Sequence, residues 1–397
     1  MAGAVAPRTA IIGAGKAGMG QAGLAQTATA MASEAVSEAL ADAGIERSQI
    51  DGLVVHIGSP RGNDYDLAAS LLGLNVRFAA QPWNHGRFGA TAIQHAAMAL
   101  SSGLADRVLC LAAYKNVSFG THGAKTRAGF QESLRDGGGP HAETPYVGLT
   151  APVAGAALAT QRYCHKYNVN PNDLAAVALA CRKHAQLNPD ALLRKDLTAE
   201  LYADARFIVE PLRLFDCSVL VDGAVALIMT RDDLAQGNSR AVHLLGMQGI
   251  HAGPNEFIFG QPGLGINQAS AFDYAPKPDD RFVYGMAGLS PSDVDAFYVY
   301  DAFSPLVLWA LERFGHCKPG EGMDFVQGGR IALGGQLPVN TNGGMLSEGH
   351  LNGWGHFIEM VRQVRGEAGP RQVAGLKVAQ WGTCLGDSLI FGRDAWA

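Results

Sequence analysis

The chain has 397 residues, enough to bury a large core, and this length suggests two or three domain-sized units. Its net charge of -5, without any run of lysine or arginine, argues against a nucleic-acid-binding protein. Charged residues make up 17% of the chain, below the roughly 25% usual for soluble domains. A chain with so few charged residues has an unusually uncharged surface, which predicts oligomerisation.

The six cysteines lie far apart and form no C-x-x-C pair, which argues against both a disulfide framework and a zinc knuckle. The first residues lack the charged-then-apolar pattern of a secretory signal, and no run of about 18 apolar residues occurs. We therefore expect a cytoplasmic protein with no membrane span and no bound metal.

The N-terminal segment predicts the beginning of a parallel α/β arrangement. Residues 9–15 have the composition of a buried strand, and their glycines begin a match to the dinucleotide fingerprint G-x-G-x-x-G. The match is weak, because Gly20 and Gly23 continue the irregular stretch and Asp51 precedes the next strand instead of ending it. An alanine-rich helix at residues 28–43, ended by glycine, leads to a second strand at residues 52–58.

The middle of the first half predicts a central helix and a long loop. Residues 81–103 carry small side chains at intervals that allow close helix packing, and a strand follows at residues 107–113. Residues 114–153 are rich in glycine without a sustained period, which predicts an excursion over an active site. The remaining predicted elements are helices at 158–168 and 171–187, the latter capped by Asn170, and a strand at 221–231.

The second half repeats this order of elements. Strands are predicted at residues 241–249 and 296–300, and a helix follows with Ser304 as its cap, Pro305 at its first position and Gly315 as its stop. The closing elements are a helix at 354–366 and strands at 372–378 and 388–391. Two halves with a matching order imply a pseudo-twofold pair.

Residues 340–355 are the stretch most characteristic of a functional site. Glycines alternate there with asparagine, serine and histidine, so the backbone can turn tightly while polar side chains project into one pocket. The pattern N-x-x-G-G-x-x-x-x-G-H-x-x-G resembles a loop of thiolases and sterol-carrier-protein thiolases. In that family the histidine, here His350, helps to hold the thioester oxygen of an acyl-CoA. The loop support that the resemblance implies comes from Asn340, Asn342, Gly343, Gly344, Gly349 and Gly353.

The same resemblance marks two positions at which catalytic cysteines are missing. When Gly89 is aligned with the glycine after the thiolase nucleophile, the nucleophile position falls on Gly86. The neighbouring His85 is either a catalytic residue or a residue at the helix entry. At the C-terminus, counting back from Gly386 places the second-cysteine position on Gln380. A Claisen condensation needs both thiols, one as acyl carrier and one as base.

Tyr300 begins the tetrad Tyr-Asp-Ala-Phe, where thiolases have N-E-A-F and sterol-carrier-protein thiolases H-D-C-F. It is either a strand aromatic with a satisfied hydroxyl or, as the resemblance implies, a catalytic residue. The chain is similar along nearly its whole length to thiolase-like lipid-transfer proteins, including the bacterial aldolases that shorten steroid side chains. This implies an α/β thiolase fold with layered helices and sheets. The implied division is an N-terminal half at residues 1–113 and 154–235, a loop domain at 114–153 and a C-terminal half at 236–397.

The implied function is an acyl-CoA carbon–carbon lyase that cleaves a β-hydroxyacyl-CoA, possibly a steroid side chain, without a covalent acyl-enzyme. Tyr300 and His350 share the roles of acid and base, with a tyrosine expected where this chain has His350. The resemblance also implies a homodimer, a small zinc-containing OB-fold partner protein, a CoA thioester as substrate and no bound cofactor. The alternatives are a thiolase-fold acyltransferase that works with partner subunits, and a non-catalytic acyl-CoA or lipid-binding scaffold.

Overall fold

The computed structural model describes residues 7–21, 23–57, 65–82, 89–115, 152–251 and 281–395. Its strands are β1 Thr9–Gln21, β2 Gly52–Ile57, β3 Phe78–Ala80, β4 Arg107–Lys115, β5 Phe207–Val209, β6 Leu212–Arg213, β7 Asp222–Arg231, β8 Val242–Gln248, β9 Ala296–Val299, β10 Val378–Gly382 and β11 Ser388–Gly392. Its α-helices are α1 Ala28–Ala43, α2 Tyr65–Leu72, α3 Gly89–Ser101, α4 Pro152–Tyr167, α5 Ala175–Gln186, α6 Ala199–Ala203, α7 Asp232–Ala235, α8 Phe282–Ala287, α9 Pro305–Phe314, α10 Gly322–Phe325, α11 Gly344–Ser347 and α12 Trp354–Arg365.

Nine of these strands form one sheet in the order β3-β2-β4-β7-β1-β8-β11-β10-β9. The order is symmetric about the junction of β1 and β8, which pair antiparallel. On each side of the junction come two antiparallel pairings and then a parallel one, β2 with β4 and β9 with β10. A parallel bridge between Phe297 and Val339 occupies the place that β3 has beside β2. The predicted pair of matching α/β halves is confirmed.

Helices cover both faces of the sheet. Along β4, Leu109, Leu111 and Ala113 point to the core that contains α1 and α2, whereas Val108 and Cys110 point to the core that contains α3, α9 and α12. This alternation follows from the two-residue period of a strand. The two helices most relevant to the site, α3 and α12, therefore lie in the same layer on one face of the sheet.

The glycines near the N-terminus serve helix packing. A Cβ atom on Gly15 would lie 2.2 Å from the carbonyl oxygen of Ala35, so only glycine lets α1 approach β1 this closely. The α1 bounds agree with the prediction, and Gly44 ends the helix in the left-handed conformation with φ 65°. Packing thus accounts for the weak dinucleotide fingerprint.

Two local predictions about β1, its parallel pairing and the irregular stretch at Gly20, were wrong. β1 continues through Gly20 to Gln21, and it pairs with β7 and β8 rather than with β2. Ser304 stands at the predicted N-cap position of α9, but it makes no side-chain capping bond, because its own backbone is already helical at φ -50° and ψ -43°.

The predicted strand at 372–378 is irregular up to Val378. Gln363 on α12 accepts the Val373 N–H at 2.9 Å, and this side-chain bond replaces a sheet ladder. Asn170 is confirmed as an N-cap, but the turn that it caps, Pro171–Leu174, is a 3₁₀ helix.

Candidate active site

The loop at residues 340–355 is fastened to the end of β9 by Asn340. Its side chain forms a pair of bonds with Val299, accepting from the backbone N–H at 2.8 Å and donating to the carbonyl oxygen at 3.1 Å. Its backbone N–H donates to Phe297 at 3.0 Å. Asn340 is fully buried and adopts a left-handed φ of 51°. These contacts orient the loop backbone relative to the strand that carries Tyr300.

Asp301 holds the next part of the loop. One carboxylate oxygen accepts from Met345 N–H at 2.9 Å and contacts His356 Nε2 at 3.0 Å, and the other accepts from Leu346 N–H at 3.4 Å. An anion at the first N–H groups of α11 satisfies donors that have no partner within the helix. A Cβ atom on Gly344, which has φ 66°, would lie 2.0 Å from this carboxylate. The other predicted loop glycines also have positive φ, at 107° for Gly343, 148° for Gly349 and 83° for Gly353.

A buried polar network lies beneath the loop. The Asn342 side chain contacts His356 Nδ1 at 2.9 Å, donates to Glu348 and accepts from the Gly344 N–H at 3.3 Å. Burial raises the pKa of the Glu348 carboxyl, and Asn188 donates to its other oxygen at 2.9 Å. Because buried polar groups are costly unless they are bonded, this network fixes the loop in one arrangement. Asn342 therefore acts through the loop backbone, as Asn340 does.

The structure brings Tyr300 and His350 together. Their rings meet edge to face, with centroids 5.9 Å apart and planes inclined at 79°. Tyr300 is buried at the end of β9, and His350 is partly exposed. The His350 backbone N–H donates to Val219 at 2.6 Å, which places the histidine beside the segment that precedes β7. Two residues that are fifty positions apart in sequence thus share one site.

Both ring nitrogens of His350 have side-chain partners. Nδ1 lies 2.8 Å from Ser218 Oγ, and Nε2 lies 2.9 Å from Asn352 Oδ1. Burial lowers the pKa of His350, while the bond to Asn352 and the charge of Asp301 oppose that shift. The lowered pKa favours the neutral imidazole, which is the form that can accept a proton. Sequence reasoning missed Ser218 and Asn352, although Asn352 lies within the glycine-rich stretch.

Tyr114 extends this chain of contacts towards β4. Burial raises the pKa of its phenol to about 12, and the side chains of Asn352 and Trp354 oppose that rise. The Asn352 side chain thus lies near Tyr114 and presents Oδ1 to His350.

The beginning of α3 lies against the same loop. A Cβ atom on Gly89 would be 2.9 Å from the Phe357 ring and 3.4 Å from the carbonyl oxygen of Asn352. The predicted residues His85 and Gly86 come just before this point, outside the described residues. The N-terminus of α3 thus approaches Asn352, whose side chain contacts His350.

Gln380 is not brought to this site. Its side chain accepts from the Tyr284 hydroxyl at 2.8 Å, contacts His316 at 3.3 Å and donates to Ser388 at 3.1 Å. The next residue, Trp381, points to the opposite face of β10, where its ring packs 5.6 Å from that of His356. Because neighbouring strand residues face opposite ways, the Gln380 side chain points away from His356 and its loop.

Across the described ranges, no group of three or more histidine, cysteine or acidic side chains is arranged to hold a metal ion. Among those same residues, no helix is both long enough and apolar enough to cross a bilayer.

Comparisons with known proteins agree with the fold. A family profile described as "Thiolase C-terminal domain-like" matches residues 281–387. The chain is 33% identical to the steroid side-chain-cleaving aldolase of Thermomonospora curvata, covering 91% of this chain and 92% of the relative. It is also 33% identical to the 17-hydroxy-3-oxo-4-pregnene-20-carboxyl-CoA lyase of Mycobacterium tuberculosis, covering 84% of this chain and 86% of that one. A solved aldolase, Ltp2-ChsH2(DUF35), superposes with a TM-score of 0.84 at 30% identity and covers 98% of each chain.

Proposed function

Because this chain belongs to the thiolase superfamily, in the group that contains the steroid side-chain aldolases, we propose that it cleaves a β-hydroxyacyl-CoA by a retro-aldol reaction. The observation that carries this proposal is the edge-to-face contact between Tyr300 and His350 beside the start of α3. One group can accept a proton, the other can donate one, and the nucleophile position is the glycine Gly86.

The reaction needs a base, an acid and a place for negative charge. A base removes the proton of the β-hydroxyl, the bond between the α and β carbons breaks, and an acid protonates the resulting enolate. The products are a ketone and a shortened acyl-CoA. His350 suits the base because its pKa is lowered, and the Tyr300 phenol suits the donor that faces the enolate oxygen or carbon. Such a donor contributes about 3–4 kcal/mol of transition-state stabilisation in other enzymes.

The substrate class follows from the names of the relatives. We infer a CoA thioester with a hydroxyl on its β carbon, and a steroid is the bulky group that both relatives' names specify. We also infer a reducing compartment such as the cytoplasm, since all six cysteines are free thiols.

We further infer that the protein works with a partner. The similar solved aldolase is a complex with a DUF35 protein, which supports a small zinc-containing OB-fold partner here. The low charged fraction of 17% supports a homodimer formed through the first half. His85 remains a proposed contributor at the entry of α3, and the division of the chain at residue 235 remains a proposal as well.

The test is cleavage of a 17-hydroxy steroid carboxyl-CoA by the chain co-expressed with its partner. Tyr300→Phe keeps the ring and removes only the hydroxyl, so kcat should fall by about 10²-fold or more. Tyr163→Phe is the matched control, since it removes another buried hydroxyl, one that donates to Glu312 at 2.5 Å. A Tyr300→Phe variant that produces ketone at the wild-type rate would exclude this mechanism.

The acyltransferase and scaffold alternatives give different results in the same assay. An acyltransferase would condense acyl groups without releasing a ketone, and a scaffold would bind the thioester without turnover. The largely buried loop from Asn340 to Gly355, with its hydrogen bonds to Val299, Asp301 and Ser218, supports catalysis, because a binding surface has no need to hold His350 so firmly.

A further inference from the structure

Ser218 lies between the two segments that carry Tyr300 and His350. Its backbone N–H donates to Ala302 at 3.0 Å, and the next residue, Val219, donates to Met345 at 3.1 Å. The flanking residues form sheet-like bridges, Cys217 with Phe303 and Leu220 with His350. Ser218 is thus held by backbone bonds from both sides, while it is only partly buried. Its position is as well defined as that of the two residues proposed to act on substrate.

The protons on the His350 ring can be assigned from its partners. Asn352 presents Oδ1, an oxygen that can only accept, to Nε2 at a distance of 2.9 Å, so Nε2 carries the hydrogen. A neutral imidazole with its hydrogen on Nε2 has a lone pair on Nδ1. The Ser218 hydroxyl, 2.8 Å away, therefore donates to Nδ1. Nδ1, the ring nitrogen that can accept a proton, is therefore the one that the Ser218 hydroxyl is bonded to.

We propose that Ser218 is a catalytic residue that passes the substrate's hydroxyl proton to His350. This inference rests on the proposed retro-aldol function. Ser218 Oγ accepts the proton of the β-hydroxyl as its own hydrogen moves to Nδ1, so the serine stays neutral and His350 becomes an imidazolium. The electron pair left on the substrate oxygen forms the ketone, and the bond between the α and β carbons breaks to give the enolate. Asn352 is a positioning residue that keeps Nδ1 available.

The arrangement also resembles a nucleophile, base and orienting group, which is how acyl-transfer sites are built. Two observations favour the relay over a serine nucleophile. The N–H groups of Met345 and Leu346, at the start of the adjacent helix, already donate to Asp301 and do not face Ser218. The Ser218 N–H itself donates to Ala302. Backbone donors of the kind that an oxyanion hole requires are thus engaged elsewhere among these residues.

The experiment uses the co-expressed complex and a 17-hydroxy steroid carboxyl-CoA. We expect Ser218→Ala to lower kcat by about 10²-fold or more, and Ser37→Ala, on the exposed face of α1, to change nothing. We expect the wild-type rate in mixtures of H₂O and D₂O to curve with deuterium fraction, because two protons move together. Thermal melting of each variant reports whether folding is intact, and Ser218→Thr keeps the hydroxyl if Ser218→Ala fails to fold.

Each outcome decides one of the two proposals. A wild-type complex that produces no ketone overturns the retro-aldol function and the relay with it. A cleaving wild type with a linear deuterium dependence, or a Ser218→Ala variant at the wild-type rate, overturns the relay alone. An acyl group found on Ser218 by intact mass also overturns the relay, because the serine is then a nucleophile. A poorly folded Ser218→Ala leaves the decision to the wild-type deuterium curve and to Ser218→Thr, which must retain activity.

Discussion

The chemistry of the site depends on one histidine whose two nitrogens are both engaged. Ser218 and Asn352 fix the ring of His350, and burial keeps it neutral. A base with a lowered pKa remains available in mildly acidic solution. The apparent pKa of the acidic limb of the kcat/KM profile should therefore lie below the ordinary histidine value of about 6.5.

Asn352→Asp should move that limb to higher pH. A carboxylate beside Nε2 stabilises the imidazolium and raises the pKa of His350, so protonation blocks the base earlier as the pH falls. The measurement is kcat/KM from pH 5 to 9 for both proteins. Asn238→Asp, in the turn before β8, is the control and should leave the profile unchanged. An unshifted limb in Asn352→Asp would mean that another group is the base.

At the scale of elements, the short helix α11 depends on a close approach between Gly344 and Asp301. The left-handed backbone of Gly344 disfavours a side chain, and a Cβ atom there would lie only 2.0 Å from the carboxylate. The helix carries the N–H groups that hold Asp301, and Asp301 in turn follows Tyr300. Displacing α11 therefore moves the phenol relative to His350.

Gly344→Ala should lower the free energy of unfolding by about 3 kcal/mol or more and reduce activity strongly. Gly366→Ala is a matched control, because Gly366 also has a left-handed φ, 77°, but has open space around its Cβ direction. That control should cost only the strain of the conformation, about 1–2 kcal/mol, and retain activity. Urea unfolding and steady-state kinetics measure both effects. Equal losses in the two variants would contradict the contact with Asp301.

The elements differ in how far the sequence predicted them. The bounds of α1 could be found because local signals, an alanine-rich run and a stop glycine, determine them. The Ser218–His350 contact could not be predicted, because it joins residues 132 positions apart and leaves no local pattern in the sequence. The side-chain direction of Gln380 could not be predicted either, because the sequence placed the strand at residues 372–378. The observed strand β10 begins only at Val378, after the irregular segment that Gln363 holds, and it contains Gln380.

For the whole molecule, the absence of a thiol at Gly86 predicts that acetyl-CoA forms no covalent acyl-enzyme. Three of the cysteines are poor substitutes, since burial raises the pKa of Cys110, Cys181 and Cys217 and keeps these thiols protonated. Intact-mass measurement after incubation with labelled acetyl-CoA should show the unmodified chain. An adduct on any cysteine would restore a thiolase mechanism.

The chain is also expected to be a homodimer that is poorly soluble or inactive without its partner protein. The physical reason is that only 17% of the chain's residues are charged, so few charges are available to keep separate copies apart. Light scattering of the chain alone and with its partner measures the mass of each species. A stable, highly active monomer would be incompatible with this expectation.

The symmetric strand order has a consequence for how the molecule could be divided. In the part of the chain that the structure describes, β1 and β8 join the two sides of the sheet through three residue pairs, between residues 9–11 and 242–244, and residues 236–240 before β8 are exposed. Ser218 and Tyr114 belong to one side, while Tyr300, His350 and Asn352 belong to the other. A chain cut within residues 236–240 would therefore yield two fragments, each with its own set of strands and neither with a whole proton path. Activity should return only when the fragments are produced together, as in a split enzyme.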